Sequence, residues 1–206
     1  MKNLDKESCS AIDLSDQDVI VAMKQIQGYI DISPGDFREV FRLAYTHALR
    51  RIMASLKAQD IMTKPVYCVR ADMDLIGAAT FLADKQFSGA PVVDATGKIV
   101  GVLSEKDFLA RMGMEKPSSF MQIVAHCLTH KGCMAMTLRN HFVYEIMSTP
   151  PVTAGLEITM GEIASLFVGR QINRLPIIDA EKRPIGIVTR TDLVQSYCQQ
   201  PLEALR

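Results

Sequence analysis

Two short segments of the chain carry the residue types that could do chemistry. Residues 101–107 read GVLSEKD and residues 186–192 read GIVTRTD, so each places a hydroxyl three positions before an aspartate. If the apolar part is a strand and the aspartate lies in the first turn of a helix, free N–H groups at the helix start suit a phosphate. The carboxylate beside them can accept two hydrogen bonds from a ribose diol.

The same residues also have a purely structural interpretation. Ser104 and Thr189 can act only as helix N-caps, with Asp107 and Asp192 as their capping partners. Because the pattern occurs twice, at an equivalent position after the same kind of apolar run, the binding interpretation is favoured over capping alone.

The two segments belong to a longer internal repeat. Residues 60–108 align with residues 145–193 at a constant offset of 85 and without a gap. The identical pairs include Ile61/Ile146, Met62/Met147, Pro65/Pro150, Gln86/Gln171, Pro91/Pro176, Asp94/Asp179, Gly101/Gly186 and Asp107/Asp192. Two similar units usually pack about a pseudo-two-fold axis, and the groove between them is a natural ligand site.

Each repeat has the pattern of a strand, a helix, two strands and a second helix. In the first repeat these are strand 66–69, helix 73–86, strands 90–93 and 99–103 joined by the turn 94–97, and helix 105–112. The second repeat has helix 159–171, strand 175–178, strand 185–188 and helix 190–199. Alternating apolar β-rich runs and helical stripes of this kind predict an α+β fold.

Helices are also predicted outside the repeats. Ser15 is a good N-cap for a helix that ends near Gly28, and Ser33-Pro34 begins a long amphipathic helix over 34–57. This arm packs against the repeats or a second copy of the chain; the alternative is an output element that moves when ligand binds. The insert between the repeats predicts another helix, 118–131.

The insert contains a possible set of metal ligands. His126, His130 and Cys133 are spaced at i, i+4 and i+7, so they could share one helix face. However, Gly132 is expected to end the helix before Cys133, and no carboxylate is placed nearby. The sequence therefore favours no metal site.

Composition excludes several classes of function. The 206 residues include 23 Lys+Arg and 23 Asp+Glu, so a net charge of zero argues against bulk binding of nucleic acid or an anionic membrane. The polar N-terminus and the absence of an apolar run of ~18 residues predict a cytoplasmic protein without a membrane span. Five cysteines without a CxxC pair indicate free thiols. No catalytic motif is visible, so we expect no enzyme.

In combination, the motifs resemble a known family. The repeat begins with (D/E)IM(T/S), contains P-h-h-D, where h is apolar, and ends with G-h-h-(S/T)-x-x-D, which resembles the cystathionine-β-synthase (CBS) domain. Two in tandem resemble the Bateman module, over residues 60–113 and 145–197. We therefore predict an N-terminal helical arm (1–58), a first CBS repeat (59–113), a helical insert (114–144) and a second CBS repeat (145–206). The predicted fold class is α+β, with two β-α-β-β-α repeats packed about a pseudo-two-fold axis.

The resemblance implies roles for particular residues. Asp107 and Asp192 would bind ribose, and Arg174, two positions before Pro176, would meet phosphate. Because the first repeat has Gly89 in place of Arg174 and carries Glu105 beside Ser104, the Asp192 site is expected to be the stronger. The remaining expected nucleotide-binding residues are Thr63, Pro65, Val66, Tyr67, Ser104, Lys106, Thr149, Pro151, Val152, Pro176, Thr189, Arg190 and Thr191.

The family resemblance implies a non-enzymatic regulatory sensor that binds an adenine nucleotide between the repeats. AMP, ADP or ATP is the expected ligand, with S-adenosylmethionine or NAD possible, and no catalytic cofactor is expected. A homodimer is expected, with a possible protein partner on the N-terminal helices. The alternative is an interaction or scaffold dimer with vestigial ligand sites.

Overall fold

The computed structural model of the chain describes residues 15–26, 31–112 and 138–203. The chain divides into two units, Met1–Met53 and Ala54–Arg206, and both repeats lie in the second. The predicted insert helix 118–131 and the candidate metal ligands His126, His130 and Cys133 lie outside the described residues. Within the described ranges, no group of three or more His, Cys, Asp or Glu is placed to hold a metal. No helix in the same ranges is long and apolar enough to cross a membrane.

The first unit contains two capped helices, as the sequence predicts. Helix α1 spans Asp16–Gln25, and the Asp18 carboxylate accepts a 3.0 Å hydrogen bond from the N–H of the N-cap, Ser15. Helix α2 spans Pro34–Ser55 and begins after Ser33, whose hydroxyl oxygen accepts a hydrogen bond from the N–H of Asp36 at 3.2 Å. Reciprocal capping of this kind satisfies backbone donors that the first helical turn leaves unpaired.

The first repeat forms a three-stranded sheet with one helix before it and two around its strands. Its elements are α3 (Ala58–Ile61), β1 (Val69–Arg70), α4 (Leu75–Asp84), β2 (Gly89–Val93), β3 (Ile99–Ser104) and α5 (Glu105–Arg111). Strand β1 runs parallel to β2, and β2 pairs antiparallel with β3. The order of elements agrees with the sequence prediction. The first strand is shorter than the predicted 66–69, and it begins only at Val69.

The second repeat follows the same order of elements except that its sheet has two strands, and an isolated parallel bridge between Ala154 and Ile177 stands where the predicted first strand would pair. Its elements are α6 (Val143–Ile146), α7 (Met160–Gly169), β4 (Arg174–Ile178), β5 (Pro184–Thr189) and α8 (Arg190–Glu203). The pairing of Pro176 with Ile187 is equivalent, at the offset of 85, to the pairing of Pro91 with Val102. The fold class predicted from the sequence is therefore confirmed.

The leading segment of each repeat packs on the other repeat. Near α3, the Thr63 N–H donates to Ile187 O at 2.9 Å, at the edge of β5. Near α6, the Ser148 N–H donates to Val102 O at 2.9 Å, at the edge of β3. The chain then returns to its own repeat, where Val69 pairs with Val92. Residues 64–68 connect two sheets, which is why the first strand starts late.

The two hydrophobic cores show that the repeats exchange their leading segments, because the first helix of each repeat contributes a residue to the core of the other. Val143 of α6 is fully buried among residues of the first repeat: Val69, Leu75, Ala78, Leu82, Ala90, Val92 and Leu103. Ala58 of α3 is fully buried among residues of the second repeat: Ile163, Phe167, Leu175, Ile177 and Val188. Burying a valine side chain stabilises a fold by about 1.5–3 kcal/mol. Each core thus includes a buried residue from the leading helix of the other repeat.

Two glycines allow this exchange. A Cβ on Gly101 would lie 2.5 Å from the Met147 sulfur and 3.1 Å from Ser148 O. A Cβ on Gly186 would similarly overlap the Met62 sulfur. The identical Met and Gly pairs of the repeat are thus contacts between repeats, with each methionine seated on the glycine of the other repeat.

We expect Gly101→Ala to lower the free energy of unfolding by about 1–3 kcal/mol, because overpacking forces Met147 and the Ser148 backbone to move. Urea unfolding measures this change. Gly155→Ala is the control, because a Cβ there meets no atom within 4 Å. Equal effects of the two substitutions would contradict the described contact.

Candidate functional site

The Asp107 carboxylate is held in place by both repeats. One oxygen, Oδ2, accepts hydrogen bonds from the Ser104 N–H at 2.7 Å and the Ser104 hydroxyl at 2.6 Å. The other oxygen, Oδ1, accepts a hydrogen bond from the Ser148 hydroxyl at 2.8 Å. Since Ser148 belongs to the second repeat, the carboxylate lies at the junction between the repeats.

Asp192 has the equivalent arrangement. Its Oδ2 accepts hydrogen bonds from the Thr189 N–H at 2.7 Å and the Thr189 hydroxyl at 2.6 Å. The Thr63 hydroxyl donates to its Oδ1 at 3.1 Å. The capping interpretation of these residues is therefore correct. It does not exclude binding, because an ionised carboxylate oxygen can accept more than one hydrogen bond.

The helix starts offer fewer free amides than expected. The Glu105 N–H donates to Ser88 O at 3.2 Å, and the Arg190 N–H donates to Asn173 O at 3.3 Å. The N–H groups of the preceding residues are bound by the aspartates. Two of the backbone N–H groups at each helix start are therefore already engaged.

A cleft of about 310 Å³ lies beside Asp107. We call it the Asp107 cleft, and residues of both repeats line it. These residues are Ser88, Val102, Ser104, Glu105, Lys106, Asp107, Ser148, Pro150, Pro151, Val152, Gln171, Ile172, Asn173 and Arg174. An apolar wall, a fixed carboxylate and two cationic side chains thus surround a single space.

Arg174 lies in the Asp107 cleft, and its expected association with Asp192 is wrong. Its Nη2 donates to the Ser88 hydroxyl at 2.7 Å, across the junction between the repeats. Burial lowers the pKa of Arg174, while the nearby negative charges of Glu105 and Asp107 oppose that change. The reason for the wrong assignment is the packing of the repeats, which places β4 next to the first repeat's cleft.

Gly89 explains why this position carries a side chain in only one repeat. It is the residue equivalent to Arg174, and a Cβ on it would overlap the Arg174 guanidinium and the Leu103 carbonyl. The two equivalent positions are therefore close together, and the space beside Gly89 is filled by the arginine of the other repeat.

The other predicted residues differ in their surroundings. Lys106, Pro151 and Val152 line the Asp107 cleft, whereas the Thr149 hydroxyl donates to Val100 O at 3.3 Å. Pro176 is fully buried in β4 and is a core residue, not a binding residue.

Four other predicted residues, Val66, Tyr67, Arg190 and Thr191, are not among those that line the Asp107 cleft. Tyr67 packs against Phe87 with ring centroids 5.7 Å apart, and the Lys85 Nζ lies 4.9 Å from the Tyr67 centroid. Arg190 and Thr191 are exposed at the start of α8, and Val66 is half-buried. Tyr67 and Phe87 occupy positions equivalent to Val152 and Ile172, which line the Asp107 cleft.

Several lining residues are not predicted from the sequence, among them Ser88, Ser148 and Ile172. Ser148 could have been found, because it is the residue equivalent to Thr63 at the offset of 85. Ser88 and Ile172 have no chemical signature and are brought to the cleft only by the packing of the repeats.

This arrangement is that of a tandem pair of CBS domains. The CBS domain family matches residues 58–113 and 143–198, more than half of the chain, and the chain belongs to that family. The predicted Bateman module is thereby confirmed.

Known relatives agree with this assignment. Protein MJ1426 of Methanocaldococcus jannaschii is 31% identical over 150 residues, covering 67% of this chain and 89% of its own length. The crystal structure of the CBS domain of a CBS domain containing membrane protein from Sphaerobacter thermophilus is 32% identical with a TM-score of 0.59, and the match covers 76% of this chain and 96% of that one.

A third match is the crystal structure of CBSX2, from Arabidopsis thaliana, in complex with AMP. It is 24% identical, its TM-score is 0.56, and the match covers 71% of this chain and 99% of that chain. At this identity the similarity shows the fold.

We expect a double-mutant cycle to detect the hydrogen bond between Ser148 and Asp107. Combining Ser148→Ala with Asp107→Ala should give a coupling energy of about 0.5–1.5 kcal/mol in the free energy of unfolding. The control cycle combines Ser148→Ala with Asp192→Ala, which lie at different sites and should be additive within about 0.5 kcal/mol. Coupling in the control cycle alone would contradict the described geometry.

Proposed function

We propose that this chain is a non-enzymatic regulatory module that binds an adenosine nucleotide in the Asp107 cleft. The observation that carries the proposal is the cleft itself. It joins residues of both repeats around a carboxylate, an apolar wall and the guanidinium of Arg174. We rank this cleft above the Asp192 site because Arg174 lies here.

Each part of an adenosine nucleotide has a matching group. The ribose diol donates to Asp107, whose Oδ1 already accepts a hydrogen bond at the junction between repeats. The adenine ring packs against the apolar wall formed by Val102, Pro150–Val152 and Ile172. The phosphate meets Arg174, because guanidinium groups can bind phosphate oxygens through two parallel hydrogen bonds.

Regulation follows from the position of the ligand between the repeats. A ligand that contacts both repeats favours the arrangement of repeats to which it binds more tightly, and shifts the population accordingly. The crystal structure of CBSX2 with AMP supports the proposal, since a protein of the same fold holds an adenine mononucleotide.

Calorimetric titration with adenosine, AMP, ADP, ATP, S-adenosylmethionine and NAD tests the ligand. We expect saturable binding of an adenosine compound, and Asp107→Ala should weaken it at least about tenfold because the ribose loses its acceptor. Asp192→Ala is the matched control and should retain the binding at the Asp107 cleft. Chromatography of the recovered ligand should show it unchanged, as a non-enzymatic role requires.

If only Asp192→Ala abolished binding, the ranking of the two sites would be wrong. If none of the six compounds bound, the regulatory proposal would be withdrawn in favour of the second candidate function.

The second candidate is a scaffold dimer, and the side chains of α2 favour it. This helix has 22 residues and none is buried, and it exposes 62% of Val40 and 49% of Leu43. Exposed apolar side chains on a long helix are typical of a surface that binds another protein.

We expect the chain to sediment as a homodimer and the double variant Val40→Ser, Leu43→Ser to sediment as a monomer. The physical reason is the loss of apolar area at the proposed interface. Val194→Ser is the control, because Val194 is equally exposed at 61% but lies on α8. A dimer that persists in the double variant would place the interface elsewhere.

A further inference from the structure

The charged side chains that line the Asp107 cleft balance, with two of each sign. Glu105 and Asp107 are acidic, and Lys106 and Arg174 are basic. In the proposed function, Asp107 is occupied by the ribose. The charges left to interact with phosphate are those of Glu105, Lys106 and Arg174, with an excess of one positive charge.

Glu105 is the first residue of α5, where an acidic side chain favours the helix start, and its charge favours the cationic form of Arg174. Its side chain takes no part in the helix cap, which Ser104 and Asp107 form. In the part of the chain that the structure describes, its carboxylate forms no hydrogen bond or ion pair, and the side chain is exposed at the cleft. The equivalent position in the second repeat is Arg190, which has the opposite charge and the same fold around it.

A carboxylate at this position disfavours additional phosphates. A phosphate monoester carries a charge of about −1.5 to −2 at pH 7, which Arg174 and Lys106 can balance. Each further phosphate adds negative charge beside Glu105, and like charges at short distance in a partly desolvated cleft repel. Arg174 also donates a hydrogen bond from Nη2 to the Ser88 hydroxyl, so its guanidinium cannot move toward the outer phosphates of a longer chain without losing that bond.

The size of the cleft also disfavours additional phosphates. Its volume of about 310 Å³ is near the lower end of the range for small-molecule sites, about 300–1,000 Å³. A mononucleotide is suited to such a space, and a triphosphate must extend its outer phosphates past the rim where Glu105 lies.

We infer that Glu105 is a specificity-determining residue that makes the Asp107 cleft selective for adenosine and its monophosphate over the di- and triphosphates. The inference rests on the proposed function, since it names the ligand class of the same cleft. It assigns the discrimination to one side chain, which makes it testable separately from binding.

Calorimetric titration with adenosine, AMP, ADP and ATP, in the absence of divalent cations, tests the inference on the full chain. The wild type should bind AMP at least about tenfold more tightly than ATP. Glu105→Gln should reduce that ratio by about tenfold, because it removes the charge and keeps the shape of the side chain. Glu105→Arg, which copies the residue at position 190, should favour ATP further.

Glu181→Gln is the matched control, because it removes one exposed carboxylate from the β4–β5 turn, outside the residues that line the cleft. It should leave the ratio of affinities for AMP and ATP unchanged. Higher ionic strength should lower the wild-type ratio, since salt screens exposed charges. Thermal unfolding of each variant confirms that the fold is retained.

The outcomes separate the two proposals. If adenosine and AMP bind and Asp107→Ala abolishes that binding, the proposed function stands. If ATP then binds as tightly as AMP, or Glu105→Gln leaves the ratio unchanged, the role of Glu105 is overturned. If no adenosine compound binds, the proposed function fails, and the inference fails with it.

Discussion

The exchange of leading segments between the two repeats is the constraint on which the rest of the structure depends. Thr63 pairs with the second repeat's sheet and Ser148 with the first repeat's sheet, so each core is completed by the other repeat. The methionine and glycine pairs follow from this exchange, because the sulfur occupies the space that a Cβ would need. The repeats are therefore a single folding unit, and the clefts between them are necessarily built from both.

The close approach of the repeats also makes the two sites unlike each other. Gly89 and Arg174 are equivalent in the repeat, but they are so near that a side chain on Gly89 would overlap the guanidinium. One arginine thus occupies the space between the repeats and contacts Ser88 of the first. An internal repeat produces similar backbones. Where the repeats approach each other there is room for only one side chain at the equivalent positions 89 and 174. Because the arginine stands at position 174, the Asp107 cleft is the one that contains the guanidinium.

The aspartates combine a structural and a proposed binding role without conflict. One oxygen of each carboxylate caps its helix, which fixes the orientation of the group, and the other is directed to the junction between the repeats. A carboxylate that is already oriented loses little conformational entropy when a ribose binds. The hydroxyls of Ser148 and Thr63 complete this arrangement from the opposite repeat. The same carboxylate thus serves the helix cap with one oxygen and the candidate site with the other.

The sequence by itself determined the repeat, the order of strands and helices, the helix caps and the two aspartate positions. These depend on local patterns, namely the offset of 85, the alternation of apolar residues and the spacing of Ser or Thr to Asp. Only the tertiary structure decided which residues share a cleft. Arg174 and Asp192 belong to the same repeat, which predicts a shared site, whereas the packing of the repeats places Arg174 beside Asp107. Pro176, in the same strand, is in the core. Contacts between repeats depend on packing in three dimensions, and the local sequence pattern does not encode them.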